Sequence, residues 1–131
     1  MFRILKSPRK EGKMAKRNMS ILEDVKRAIG IVPEYDVFDS QLIICINSVF
    51  STLHQLGLGP EEGFSIEGSK EEWDEFVDSA RFNFVRSYMI MKVHVMFDPP
   101  TSSIALEALN KQIEEYEWRM TSEMECYGEE D

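Results

Sequence analysis

A strongly apolar segment, Tyr88 to Phe97, stops at Asp98-Pro99-Pro100 and gives way to Thr101-Ser102-Ser103. No helix runs through such a corner. Proline has no backbone donor, and it pushes the residue before it out of helical geometry. Any of the three hydroxyl residues can cap a new helix. Beyond them Leu106, Leu109, Ile113, Tyr116 and Met120 recur at spacings of 3, 4, 3 and 4, a seam of coiled-coil type. The corner therefore folds one long amphipathic helix back along the apolar one before it. Two antiparallel rods joined at an elbow of Asp98, Pro99 and Pro100 are the frame to which the rest must fit.

Upstream the pattern is also helical. Ser20 to Glu23 fits a capping box, followed by an apolar face of Ile21, Leu22, Val25, Ala28 and Ile29. Gly30 is placed to stop this helix in a left-handed conformation. A second helix starts near Asp36 or Asp39 and runs to Leu56, with Leu42, Cys45, Ile46, Val49, Phe50 and Leu53 at helical spacing. Gly57 ends it. From Gly57 to Ser69 four glycines and Pro60 mark a long loop, with a brief extended piece possible at Phe64-Ser65-Ile66. Loops of that length tend to be functional or mobile. Ser69 to Glu72 fits a second capping box before a short helix with Trp73, Phe76 and Val77.

The segment from Arg81 to Phe97 is apolar around most of its circumference and should be the central, most buried helix. "MIMKVHVMF" also alternates in the manner of a strand, but the preceding pattern is helical and no partner strand is evident. The expected fold is all-α: a small antiparallel bundle of four to five helices, with a long loop between the second and third.

The chain has 131 residues, the size of one domain, and its 43% of apolar residues suffice for a core. Residues 1–19 form a basic arm with seven cationic side chains and one acid, a charge of +6. Met14 and Met19 are both plausible starts, so the arm reads as a leader or as an extension from an early start codon. Residues 20–120 form the helical domain. Residues 121–131 are an acidic tail carrying Met124, Cys126 and Tyr127. Without the arm the chain carries 8 basic and 23 acidic residues, a charge of −15. So acidic a body repels nucleic acid at long range and favours protein partners. The arm alone could take phosphates, which makes a small DNA-binding regulator the second reading of the chain. Two cysteines give no disulfide framework and suit a reducing compartment. No secretory signal or membrane-spanning run is visible.

Catalytic and metal-binding constellations are not expected. His54 and His94 are 40 positions apart, and neither stands near a cysteine in sequence. Cys45 lies on an apolar helix face and reads as a core thiol. His94 reads as a packed or interface residue, and His54 as a partner of the local helix dipole. "GLGPEEG" follows a helix, lacks the Lys-Ser/Thr ending of a phosphate loop and carries Glu61 and Glu62. A hydrolase using those two acids is the least supported reading. The expectation is a non-enzyme without cofactor or metal. Its eight methionines suit adaptable packing surfaces.

Taken together, "INSVFSTLHQLGLGPEEGFSI" and "NFVRSYMIMKVHVMFDPPTSSIALEALNKQIEEYEWRM" resemble the head–tail connector proteins of tailed bacteriophages, also called adaptor or head-completion proteins. The similarity runs from about Ser20 to Met120. It includes Asn47 and Leu53, the Gly-rich loop, Trp73, the Phe97-Asp98-Pro99-Pro100 elbow and Glu117-Trp118-Arg119. The resemblance implies a ring, typically twelve-fold, beneath the portal protein in the neck of a virion assembled in the host cytoplasm. Such a ring extends the DNA channel and docks a downstream stopper or tail-completion protein, while DNA passes without specific binding. On that reading the partner-facing residues are Trp118, Met120, Met124, Tyr127, Glu61, Glu62 and Phe64. Trp118 can equally pack within its own chain. The basic arm has no counterpart in the family pattern.

Overall fold

The computed structural model describes residues 19–130, with side chains through residue 122. Four α-helices are present among them: α1 (Ile21–Ala28), α2 (Asp39–Gln55), α3 (Phe82–Phe97) and α4 (Ser103–Glu130). The expected third helix is only a three-residue 3-10 turn, Trp73–Glu75. Phe64-Ser65-Ile66 is not a strand, and the one β-bridge among the described residues joins Ser20 to Glu72.

The first two helices stop in the same way. At the end of α1, Gly30 has φ +94°, its N–H donates to Arg27 O, and Ile31 N–H donates to Lys26 O. At the end of α2, Gly57 has φ +89°, with matching bonds to His54 O and from Leu58 to Leu53 O. Both are Schellman motifs, which satisfy carbonyls left free by the helix end and need a residue tolerant of positive φ. The start of α1 is capped as expected, Ser20 Oγ accepting from Glu23 N–H at 3.3 Å. The second capping box falls three residues later than the sequence suggests. It pairs Glu72 with Glu75, whose Oε2 accepts from Glu72 N–H at 3.0 Å. The reason is tertiary: residues 71–73 pair with the entry to α1, through Ile21 N–H to Glu71 O and Trp73 N–H to Met19 O.

With only eight residues, α1 is too short to stand alone. Ile21, Leu22 and Val25 bury its apolar face, and two buried charges tie it down. Lys26 Nζ donates to Asp39 Oδ1 at 2.7 Å and to Pro33 O at 2.9 Å, bracing the connection to α2. Asp24 accepts two bonds from Arg86 of α3, at 2.6 and 2.9 Å, and one from the Trp73 indole at 2.9 Å. That carboxylate holds three parts of the fold at one point.

The loop between α2 and the 3-10 turn is packed down rather than protruding. Asn47 on α2 grips it with both side-chain atoms: Oδ1 accepts from Ile66 N–H at 2.8 Å, and Nδ2 donates to Ile66 O at 3.0 Å. Leu58 and Ile66 are buried. Phe64 joins an aromatic cluster with Phe50 and Phe76, centroids 5.0 and 5.4 Å away. Trp73 extends that cluster to Phe82 on α3.

As expected, α3 is central. It packs against α1, α2 and α4, and only Asn83 and Met96 along it are exposed. It ends at Phe97, and α4 begins at Ser103 with Ser102 Oγ accepting from Ala105 N–H. The two rods are antiparallel. Phe84 stacks on Tyr116 at 4.6 Å, and the Tyr88 hydroxyl donates to Glu117 Oε2 at 2.8 Å. Along the seam Ile113 and Met120 are buried and Leu106, Leu109 and Tyr116 half-buried. Each fully buried residue of this kind is worth about 1.5–3 kcal/mol. The helix continues unbroken to Glu130, past the Met120 at which the seam ends.

Candidate interaction surfaces

The residues singled out from sequence separate into exposed and buried sets. Glu61 and Glu62 are exposed in a tight turn closed by Gly63 N–H to Pro60 O. Phe64 and Met120 do not belong with the surface residues. Phe64 is locked in the aromatic cluster, and Met120 is 2% exposed at the end of the seam. Both were expected to face a partner; in the fold Phe64 is half-buried against the core and Met120 lies within it. Trp118 lies the other way, 69% exposed on the outer side of α4, so intrachain packing does not account for it. The side chains of Met124 and Tyr127 lie outside the described ones. At the elbow Asp98 and Pro99 are exposed, and Pro100 is half-buried.

The titratable groups serve the architecture. Hydrogen bonding to Asp24 raises the Arg86 pKa, keeping the guanidinium charged against the opposing effect of burial. The Tyr88 phenol is pushed up, first by burial and then by its bond to Glu117. Burial also raises the half-buried Cys45 thiol, which disfavours the reactive thiolate. His54 Nε2 lies 2.9 Å from Glu61 O and so bridges α2 to the loop. Among the described residues no group of three or more His, Cys, Asp or Glu gathers in metal-binding geometry.

Sequence reasoning missed a groove beside the elbow. Two adjoining hollows, of about 350 and 480 Å³, share Ile29 and Gly30. One lies between the end of α1 and the α3–α4 pair, against Met91, His94 and Leu109. The other continues to Phe38 and Phe97, whose rings meet edge-on at 5.3 Å. Val32, Tyr35 and Val37, in the connection from α1 to α2, are also exposed. Apolar side chains in a connecting segment were the available signal, because such segments are normally polar.

This is a helical body whose outer features are an apolar groove, an exposed tryptophan and many acids. Against protein-family models, residues 21–126 match the family described as phage connector protein. The chain belongs to the phage connector protein family. No curated protein matches the chain, and no solved structure does. As a connector it is a structural component of the bacteriophage virion, of a family that is in general non-catalytic. The match covers α1, α2, α3 and most of α4, so the Asp24 node, the Asn47 clamp and the elbow all belong to the connector domain. No described helix of the connector is long and apolar enough to cross a membrane.

Proposed function

We propose that this connector assembles into a closed ring, typically twelve-fold, beneath the portal protein of a filled capsid. There it extends the DNA channel and offers a docking surface to a downstream stopper or tail-completion protein. The observation that carries this reading is the family match over residues 21–126. The physics of the body is in keeping with it. A ring needs two different complementary patches on each subunit. The hairpin of α3 and α4 is braced along its length by Phe84–Tyr116, Tyr88–Glu117 and the buried Ile113 and Met120. Such a strut can carry those patches in fixed relation. An acidic body neutralises no phosphates, so DNA can pass a wall made from it without being held.

The test is co-sedimentation of the full chain with its cognate portal protein. Stoichiometric binding and a ring-sized complex are expected. A chain that stays monomeric and unbound at high micromolar concentration contradicts the proposal.

A further inference from the structure

We infer that Trp118 of one subunit seats in the apolar groove beside the elbow of the next copy of this chain. The inference rests on the ring reading and names the surfaces that would build it.

Shape, geometry and charge point to a second copy as the occupant. The groove is unfinished by its own chain. A Cβ placed on Gly30, in its wall, would meet nothing within 4 Å, and His94 Nδ1, buried in the same wall, has no hydrogen-bond partner among the described residues. The hollow of about 350 Å³ beside Met91 and Leu109 is large enough for an indole ring. Trp118, at 69% exposure, is an uncovered side chain of matching size, and tryptophan is among the residues most enriched where binding energy concentrates.

No chain can fill its own groove this way. Leu109 lines the groove, and Trp118 lies nine residues further along the same helix. Nine residues are about 2.5 helical turns, roughly 13 Å along the axis and on the opposite side. Knob and groove thus face apart on one rigid rod. Contacts of that kind are head-to-tail, and they close into a ring when the rotation between copies allows.

Charge agrees in sign. Arg27 at the groove rim is exposed and has no ion-pair partner among the described residues. Glu114, one turn before Trp118, is exposed and in no ion pair among the described residues, while its neighbour Glu115 is paired with Arg119 at 2.9 Å. Residues three and four apart share a helix face, so the tryptophan arrives with the unpaired carboxylate of Glu114 beside it. A second copy therefore offers an indole flanked by Glu114 to the apolar hollow rimmed by Arg27.

Two variants at exposed positions test this without touching the core. Trp118→Ala removes the knob, and Ala28→Glu puts a charge into the groove. Circular dichroism should match the unaltered chain for both, and so should thermal melting at a concentration where the unaltered chain is monomeric. In sedimentation velocity each variant alone should self-associate at least ~30-fold more weakly, the loss expected of a hot-spot residue. Mixed together, they should form one-to-one heterodimers and no ring, since the mixture restores a single good interface per pair.

If Trp118→Ala assembles as well as the unaltered chain, the inference is wrong. A mixture that stays monomeric also overturns it. Loss of portal binding by Trp118→Ala with the ring intact would assign the tryptophan to the portal and not to a second copy. An unaltered chain that never associates, with or without portal, overturns the ring reading itself, an outcome distinct from the other three.

Discussion

Replacing Gly59 by alanine should destabilise the domain out of proportion to the one methyl group added. Gly59 has φ +86°, where an L side chain costs about 1–2 kcal/mol. The added Cβ would also lie 2.3 Å from Phe76 Cε1 and 2.9 Å from Cδ1 and Cζ. Phe76 has little room to yield: its ring centroid is 4.6 Å from that of Phe50 and 5.4 Å from that of Phe64. Overpacking of this kind costs about 1–3 kcal/mol. The expected total is therefore about 2–5 kcal/mol. Gly63 supplies the control, with φ +93° and nothing within 4 Å of an added Cβ. Gly63→Ala should cost only the backbone part, about 1–2 kcal/mol. Urea unfolding followed by circular dichroism gives both values, and the difference between them isolates the clash with Phe76. The double variant Gly59→Ala/Phe76→Leu should recover about 1 kcal/mol or more, measured as a coupling energy. Equal costs for the two single variants would refute the claim that this loop lies pressed against the aromatic cluster.

Asp24→Ala strands the Trp73 indole and leaves Arg86 without its bidentate partner. Removing one member of a buried pair costs about 3–5 kcal/mol, and here about 2–4 is expected because Arg86 is part-exposed and can rehydrate; urea unfolding measures it. On the seam Ile113→Ala should cost about 2–4 kcal/mol and half-buried Leu109→Ala distinctly less, a ranking the same assay checks. Tyr88 gives a pH dependence. Its pKa is raised in the folded state, so its stabilising contribution is complete below the unfolded value of about 10 and is lost as pH rises from there toward the folded value. Tyr88→Phe should flatten that alkaline decline in stability-versus-pH measurements. Cys45, whose thiol is raised by burial, should react with a thiol reagent at pH 8 more slowly in a folded Cys126→Ser variant than in the same variant unfolded.

Much of the frame was legible because it rests on local chemistry. Pro99 and Pro100 are excluded from a helix interior, Gly30 and Gly57 stand where a left-handed residue is needed, and the 3-4 spacing from Leu106 to Met120 has one burying face. The central place of α3 followed from its apolar circumference. What the sequence concealed depends on residues far apart along the chain. Asp24 and Arg86 are 62 positions apart, and each reads alone as an ordinary surface charge. Asn47 grips Ile66 across 19 positions, which is why a glycine-rich loop that looks mobile is bound to α2. The second capping box moved to Glu72 because residues 71–73 pair with the entry to α1, a contact no local rule contains. The surface was the least legible part. Met120, Phe64 and Trp118 are all large and apolar, and only the folded arrangement shows that the first is buried, the second half-buried and the third exposed.

We propose that a stiff hairpin of α3 and α4 makes this chain a ring-building block in the phage neck. A reconstruction of the neck region of the cognate particle tests it most directly. The expected result is a closed ring of this chain between the portal and the tail-side proteins, each copy retaining the Pro99-Pro100 corner with α4 laid back along α3. A neck without such a ring, or copies whose two helices have come apart, would contradict it.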